Sequence, residues 1–437
     1  MPALAWTPCA PGRSQAPPGI AGMATEVQGQ RNICNGCYTW QPAGVRASRG
    51  RHPQPASPAS MTSTRHGTRR SLLSLATAGA APPPASREPH AAKLSYADLS
   101  PAEVRVAVLG ATGYIGRFVV LELVKRGFQV LAVTRPSSGI GSKQKVSDVE
   151  KALEGATVAV ADVTDPADLE RCFSEHPAPH AVVSCLASRT GGIADSWAVD
   201  HDANVNALRA ARAVGAAHFV LLSAICVQRP SLEFQRAKLA FEAKLREGGT
   251  SWSIVRPTAF FKSLAGQVEL VATGKPYVWF GDGRLAACKP ISEADLASYI
   301  ADCVTDEARV NRVLPIGGPG RALTPRDQAQ LLFKAFGKKE WTLGLPVGIM
   351  DGVIGILDLL AKPFPGLKEA AEFGRIGRYY ATESMLVWDE KEGRYDADAT
   401  PEYGSDTLEA FFNRVAREGL AGQELGDQAV FNINRGT

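Results

Sequence analysis

The fold of this chain is decided by one continuous stretch, Val104-Arg-Val-Ala-Val-Leu-Gly110-Ala-Thr-Gly113-Tyr-Ile-Gly116-Arg-Phe-Val-Val-Leu-Glu-Leu123. An unbroken apolar run ends in three evenly spaced glycines, and an apolar pattern with helical period then begins at Ile115. Glycines let the backbone approach a pyrophosphate, whose charge is attracted by the free N–H groups and positive dipole end of the following helix. The stretch therefore predicts a dinucleotide site, formed by Gly110, Thr112, Gly113, Tyr114, Ile115 and Gly116.

The chain beyond residue 92 alternates strand and helix patterns, which is typical of an α/β fold with a Rossmann-like, doubly wound parallel sheet. We predict strands at 104–109, 128–134, 156–161, 180–185, 218–223 and 252–256. These strands and their helices form a predicted dinucleotide-binding core over residues 93–257. The alternation loosens after Pro257, so residues 258–437 are predicted to form a smaller substrate-binding part packed on the core.

The N-terminal segment, residues 1–92, differs in composition from the rest of the chain. It contains nine Arg and no Lys against two acidic residues, a net charge of +7, and it is rich in Pro, Ala, Ser and Gly. This composition is typical of an organelle transit peptide with a disordered linker, and a basic tail without a targeting role is the alternative. Since the whole chain carries +4, the remainder carries −3, and no nucleic-acid partner is predicted.

The eight cysteines indicate neither a disulfide scaffold nor a metal site. Cys34 and Cys37 have the spacing of half a zinc site, but no second pair follows at the required distance. The five cysteines after residue 92 are scattered through apolar stretches, so we expect reduced, buried thiols and no bound metal.

The end of the second predicted strand indicates which dinucleotide binds. An acidic residue there would bind the ribose 2′-hydroxyl of NAD, whereas this chain has Arg135, whose guanidinium can hold a 2′-phosphate. We therefore predict NADPH as the cofactor. Asp162 and Val163, which close the third strand, are expected near the adenine, and Ala187, which follows the fourth, near the nicotinamide ribose.

A lysine without its usual tyrosine follows the fifth strand. Short-chain dehydrogenases carry a Tyr-x-x-x-Lys pair there, in which the tyrosine gives a proton and the lysine lowers its pKa and binds the ribose. This chain has Phe234-Gln-Arg-Ala-Lys238. A carbonyl reduction needs a proton at oxygen, so loss of the tyrosine argues against an ordinary ketone reductase or sugar epimerase. An exposed helix lysine with no role is the alternative for Lys238.

Taken together, these motifs and Arg256-Pro257 resemble the atypical, NmrA-like short-chain dehydrogenases. More discriminating motifs extend the resemblance over nearly all of residues 104–431 and are similar to those of plastid reductases that act on chlorophyll precursors. These motifs are Phe234-Gln-Arg-Ala-Lys238-Leu, Arg256-Pro-Thr-Ala-Phe-Phe-Lys-Ser-Leu264, Gly281-Asp-Gly283, Lys289-Pro-Ile-Ser-Glu-Ala-Asp-Leu296 and Tyr379-Tyr-Ala-Thr-Glu-Ser-Met385.

The resemblance implies NADPH-dependent reduction of the 8-vinyl group of divinyl chlorophyllide a or divinyl protochlorophyllide a to ethyl, in the chloroplast. It implies cofactor contacts from Pro257 as well as from the residues named above, and a tetrapyrrole substrate as the partner. A vinyl group conjugated with a macrocycle can take hydride at its outer carbon without a tyrosine. Lys238, Cys226 and a bound water are the candidate proton donors, with Lys238 and Cys226 predicted as catalytic residues.

The large, flat, apolar substrate implied by the resemblance suits a pocket that contains Phe260, Phe261 and Trp279. Residues 345–361 form the most apolar segment, interrupted by Asp351 and Asp358. We interpret this segment as a buried or groove-lining helix, with a helix lying on a membrane surface as the alternative. Two other functions stay open: an isoflavone-reductase-like or quinone reductase of the same fold, and a non-catalytic scaffold that senses NADPH.

Overall fold

A seven-stranded parallel sheet lies at the centre of the computed structural model, which describes residues 94–135, 146–364 and 366–420. The strand order is β3-β2-β1-β4-β5-β6-β8, and every pair within this sheet is parallel. The order reverses between β1 and β4, as in a doubly wound fold, so the predicted fold class is confirmed. The described residues belong to one compact unit. The predicted transit peptide and linker, 1–92, lie outside them.

The strands are β1 (Arg105–Leu109), β2 (Gln129–Thr134), β3 (Thr157–Val160), β4 (Ala181–Ser184), β5 (His218–Leu222), β6 (Ser251–Pro257), β7 (Tyr277–Phe280), β8 (Arg312–Ile316), β9 (Thr342–Leu345), β10 (Val387–Asp389) and β11 (Arg394–Asp396). The first six coincide with the six strands predicted from the sequence. The helices are α1 (Tyr114–Lys125), α2 (Val146–Ala152), α3 (Pro166–Glu175), α4 (Ile193–Ser196), α5 (Asn204–Ala213), α6 (Glu233–Arg246), α7 (Phe261–Leu264), α8 (Val268–Ala272), α9 (Glu293–Thr305), α10 (Pro325–Ala335), α11 (Gly348–Ala361), α12 (Leu367–Thr382) and α13 (Leu408–Glu418).

Two hydrophobic cores cover the two faces of the sheet. On one face, α1 and α9 pack over side chains such as Val106, Val108 and Val183. On the other face, α3, α5 and α6 pack over Ala107, Leu109 and neighbouring apolar residues. Successive side chains of a strand point to opposite faces, so these buried strands need apolar residues throughout. This is the physical reason for the continuous apolar runs in the sequence.

The segment after Pro257 contributes a seventh strand to the sheet, which the sequence analysis did not predict. Strand β8 pairs with β6 at the edge of the sheet. Its side chains before Ile316 are half-buried or exposed, and Pro315 interrupts the apolar pattern. Proline is tolerated in an edge strand because one side of the strand makes no ladder hydrogen bonds. The signal of a buried strand is therefore weak here.

The rest of the C-terminal region forms its own core and a helical hairpin. Side chains from α7, α8, α10 and α13 surround Phe333 and Phe412 in a third hydrophobic cluster. Helices α11 and α12 pack together as the hairpin. Only Ile354 and Ala361 of α11 are buried, so the prediction of burial for this apolar segment is wrong for most of its length, and a groove-lining role stays a prediction.

Candidate active site

The glycine turn after β1 has the shape that the sequence predicts. Gly110 has a φ of +72°, a conformation that favours glycine, and its carbonyl accepts a hydrogen bond from the Gly113 N–H at 2.8 Å. A Cβ atom on Gly116 would lie 2.1 Å from the Gly110 oxygen. Glycine at 116 therefore lets α1 start directly against the turn, with its first N–H groups at the carboxyl end of β1.

Two observations support a dinucleotide-binding site at this turn. Gly113 is exposed and is the residue before α1, and no side chain caps the N-terminus of that helix. The buried Tyr114 hydroxyl has no hydrogen-bond partner among the described residues, which is costly unless a ligand provides one. Thr112 is half-buried beside them, whereas Ile115 is 5% exposed and packs in the core. The turn can thus present backbone donors to a pyrophosphate.

The parallel sheet gathers the predicted cofactor residues at one edge, because the carboxyl ends of parallel strands lie side by side. In the order of the strands from β3 to β6, the residues found there are Asp162, Arg135, Gly110, Ala187, Cys226 and Pro257. Ala187 is exposed, while Pro257 is buried at the end of β6. Val163 is 8% exposed and packs in the core below this edge.

Arg135 lies in a cluster of charges at the end of β2. Partial burial and the nearby Arg189 guanidinium lower the pKa of Arg135, while Asp162 and Asp195 act in the opposite direction. Two guanidinium groups brought close together repel each other, and a bound phosphate would relieve that repulsion. The cluster supports a 2′-phosphate site, and Arg189 is a member that sequence reasoning missed.

Asp162 makes a local turn as well as lying near Arg135. Its Oδ1 atom accepts hydrogen bonds from the Thr164 N–H at 2.9 Å and from the Thr164 hydroxyl at 2.7 Å. These bonds lower the pKa of Asp162. Helix α3 is capped by Asp165 and not by Asp162, since the Asp165 side chain accepts a hydrogen bond from the Ala167 N–H. The contact of Asp162 with adenine stays a prediction.

Lys238 forms a buried ion pair with Asp200. The Lys238 Nζ and Asp200 Oδ1 atoms are 2.9 Å apart, and the side chains are 11% and 1% exposed. Asp200 lies in a π-helical segment, Trp197–Ala203, inserted between α4 and α5. Such insertions are rare and frequent at functional sites, because the extra residue in the turn redirects a side chain. Lys238 is therefore not the exposed helix lysine that the sequence left as an alternative.

Tyr380, in helix α12 of the C-terminal hairpin, lies near Asp200 of this ion pair. Phe234 packs in a hydrophobic cluster with Cys226 and Ile376, and Tyr380 packs against this cluster. The Tyr380 hydroxyl lies close enough to Cys226 and Asp200 to interact electrostatically with both. Cys226 is 5% exposed, and burial raises the pKa of its thiol to about 11.

Sequence reasoning missed Asp200 and Tyr380 as members of this site. Asp200 gives no sequence signal, because a single π-helical turn changes the apolar periodicity too little to be seen. Tyr380 had been quoted only within a family motif, and no local pattern indicates which core residue a distant helix contacts.

The three predicted substrate aromatics lie in different environments. The ring of Phe260 is half-buried, with its centroid 6.3 Å from that of Tyr114 at the glycine turn. Trp279 is half-buried in β7. Phe261 is 2% exposed and its ring centroid lies 5.4 Å from that of Phe411 in the third core. We therefore treat Phe261 as a core residue and keep Phe260 and Trp279 as candidate substrate contacts.

Comparison with known proteins places this site in a family. Residues 110–307 match a family model described as NAD(P)H-binding. The chloroplastic divinyl chlorophyllide a 8-vinyl-reductase of Oryza sativa subsp. indica is 56% identical over 370 residues, which cover 84% of this chain and 90% of that protein. The chloroplastic protein of the same name from Cucumis sativus is 58% identical over 345 residues, or 78% and 82% of the two chains.

The chain belongs to the divinyl chlorophyllide a 8-vinyl-reductase family. Its predicted resemblance to these reductases is thereby confirmed, and so is the NAD(P)H-binding character of its core. The chloroplastic relatives also confirm the predicted localisation. A solved UDP-glucose 4-epimerase from Thermotoga maritima, with UDP-glucose bound, shares the fold of this vinyl-reductase family member, with a TM-score of 0.54 at 18% identity over 74% of this chain and 100% of that chain.

Because the ion pair between Lys238 and Asp200 is buried, removing only one of its two charges should lower the stability of this vinyl-reductase family member by a large amount. Lys238→Met leaves the Asp200 carboxylate buried without a counter-charge, and we expect the free energy of unfolding to fall by about 3 kcal/mol. Adding Asp200→Asn should recover much of this loss, because the neutral amide is less costly to bury. Urea unfolding of the two variants and the wild type measures both effects.

The exposed ion pair between Lys334 and Glu409, whose side chains are 73% and 44% exposed, is the matched control. Lys334→Met should cost less than about 1 kcal/mol. Equal losses for Lys238→Met and Lys334→Met would contradict a buried charge pair at the site.

Proposed function

We propose that this protein reduces the 8-vinyl group of divinyl chlorophyllide a to an ethyl group, with NADPH as the reductant. The observation that carries the proposal is its 56–58% identity to reductases of this name over most of both chains. The site supports the same chemistry, since Phe234 occupies the position of the tyrosine expected for carbonyl reduction while Lys238 is retained.

Some residues of the site would bind the cofactor, and others would bind the substrate. Backbone donors of the glycine turn would hold the pyrophosphate, Arg135 and Arg189 the 2′-phosphate, and Lys238 the nicotinamide ribose. When bound, NADPH supplies a hydride, and the outer carbon of the vinyl group is its acceptor. Negative charge on the inner carbon then spreads over the macrocycle, so no oxyanion has to be stabilised. Phe260 and Trp279 would contact the flat, apolar substrate.

The direct test combines the purified protein with NADPH and divinyl chlorophyllide a, and a parallel sample receives divinyl protochlorophyllide a. Loss of the conjugated vinyl group should move the Soret absorption band to shorter wavelength in step with NADPH oxidation. Tight NADPH binding without a band shift for either pigment would contradict the proposal and favour a scaffold that senses the cofactor. Oxidation of NADPH by a quinone alone would favour the quinone reductase.

The arginine cluster predicts a preference for NADPH over NADH. Arg135→Ala removes one of the two guanidinium groups proposed to bind the 2′-phosphate, so the Kd for NADPH should rise at least about tenfold, a loss of about 1.4 kcal/mol. The Kd for NADH should change by less than about threefold, since NADH lacks that phosphate. Fluorescence titration measures both constants.

Arg171→Ala is the matched control for this substitution. Arg171 is an exposed arginine of α3 that pairs with Asp168. Its removal should leave both constants unchanged. Equal weakening of NADPH and NADH by Arg135→Ala would remove Arg135 from the 2′-phosphate site.

The proposal extends to peripheral association with a membrane through α11. No helix in the described ranges is long and apolar enough to span a bilayer, and α11 has 14 residues. Five of its apolar side chains are nevertheless between 42% and 63% exposed, as is Phe364 just beyond it, and Lys362 and Lys368 are exposed nearby. An exposed apolar helix face next to lysines is typical of helices that lie in the surface of an anionic membrane. The exposed apolar residues are Ile349, Val353, Ile356, Leu359, Leu360 and Phe364.

Vesicle sedimentation tests this association. The protein should bind vesicles of phosphatidylcholine with about one fifth phosphatidylglycerol, and Ile356→Glu with Leu359→Glu should reduce the bound fraction at least about tenfold. Leu121→Glu, at an exposed leucine of α1, is the control and should bind like the wild type. Binding that is absent in the wild type, or unchanged in the double variant, would contradict a membrane role for α11.

A further inference from the structure

Vinyl reduction needs a proton as well as a hydride. The hydride and its electron pair form a C–H bond at the outer vinyl carbon, and the carbon–carbon double bond becomes a single bond. The inner carbon then carries the displaced electron pair and must take one proton to give the neutral ethyl group. An acid beside that carbon speeds the step, and its identity rests on the function proposed above.

Three side chains near the carboxyl end of β5 and helix α6 carry a proton that could be donated to the substrate. They are Lys238, Cys226 and Tyr380. Lys238 is engaged in the ion pair with Asp200, so giving up its proton would leave a buried carboxylate without its counter-charge. Cys226 is 5% exposed and belongs to the buried cluster against which Tyr380 packs. Tyr380 is half-buried and packs against the cluster that contains Cys226, so part of its side chain is open to a ligand while its position is fixed by packing.

The helix that carries Tyr380 is held against this site by polar contacts. The Glu372 carboxylate accepts a hydrogen bond from the Glu233 N–H, at the start of α6, with a distance of 2.8 Å. The Tyr379 hydroxyl donates to the Cys226 carbonyl at 3.2 Å. Because α12 is attached at both points, Tyr380 has a defined position relative to Lys238 and Cys226.

Phe234 and Tyr380 belong to the same contact cluster but come from different parts of the chain. The aromatic ring on α6 has no hydroxyl, and the phenol near Asp200 is supplied by α12. A hydroxyl at position 380, on α12, would approach a bound substrate from a different direction than a hydroxyl at position 234, on α6. This is the arrangement expected if the acid serves a carbon and not a carbonyl oxygen.

We propose that Tyr380 is the proton donor of the reaction and gives its hydroxyl proton to the inner carbon of the vinyl group. The O–H bond breaks as the new C–H bond forms, and Tyr380 is left as a phenolate. Water returns the proton after the product has left. Cys226, in the cluster against which Tyr380 packs, is a positioning residue for the phenol, and Asp200 of the buried ion pair lies nearby.

The surroundings keep this acid protonated between turnovers. Burial, with Cys226 and Asp200 close by, raises the pKa of Tyr380 above its ordinary value. A phenol with a raised pKa stays neutral at physiological pH, and a carbanion is basic enough to take its proton.

Tyr380→Phe removes the proton and keeps the ring. In steady-state assays of the full protein with NADPH and divinyl chlorophyllide a, kcat should fall at least about 100-fold, while KM for the pigment changes less than about threefold. The solvent deuterium isotope effect on kcat should also change, because water must now donate. The Kd for NADPH, measured by fluorescence without pigment, should be that of the wild type and shows that the variant is folded.

Tyr403→Phe is the matched control. The Tyr403 hydroxyl makes two side-chain hydrogen bonds, with Ser298 and Asp302, but on the α9 face of the sheet and away from the proposed site. Its loss should leave kcat and the isotope effect unchanged. If Tyr380→Phe lowers kcat by less than about threefold, or raises KM with kcat and the isotope effect unchanged, Tyr380 is not the donor.

Tyr380→His gives a second test that does not depend on the phenylalanine variant. An imidazolium can donate a proton, so activity should be partly restored and should decline as the pH rises through about 6.5. A pH profile equal to that of the wild type would overturn the proposal. A wild-type protein that does not reduce the pigment would instead reject the proposed function, so the two failures are distinguishable.

Discussion

The ion pair between Lys238 and Asp200 is the interaction on which the active site depends. A carboxylate that is 1% exposed is costly to bury, and its 2.9 Å contact with the lysine ammonium offsets that cost. The pair joins α6 to the π-helical segment before α5, so it sets the position of the carboxyl ends of β4 and β5 relative to the helix that carries Lys238. A dinucleotide on the glycine turn would extend along the same edge of the sheet toward this pair.

Around this pair, the site combines features of two parts of the chain. The core provides the glycine turn, the arginine cluster and Lys238. The C-terminal hairpin provides Tyr380, held by contacts of α12 with Cys226 and with the start of α6. The hairpin also exposes apolar residues of α11 to solvent. One hairpin therefore carries both the proposed acid and the face proposed to contact a membrane.

Much of this arrangement was predictable from sequence, because local patterns determine it. The apolar runs and glycine spacing predicted six strands and the turn, and Gly110 and Gly116 have the conformation and close contact that exclude a side chain. Arg135 and Lys238 were found because their positions follow from the order of strands and helices. The seventh strand was missed, since an edge strand with Pro315 lacks a continuous apolar pattern.

Asp200 and Tyr380 were not predicted, for a different reason. The contact of α12 with Cys226 joins residues 153 positions apart, and only the tertiary packing of the helices determines it. The exposed face of α11 was not predictable for the same reason. An apolar helix has the same sequence pattern whether it is buried in protein or lies on a membrane surface.

The central claim is that the nicotinamide hydride goes to the outer vinyl carbon and that a proton donor on the protein serves the inner one. Deuterium labelling, read by NMR of the ethyl group, tests it most directly. Reduction with NADPH deuterated at the transferred position should place the label in the terminal methyl group, and reduction with unlabelled NADPH in deuterated water should place it in the methylene group. The reverse pattern, or label from water in both positions, would contradict this account.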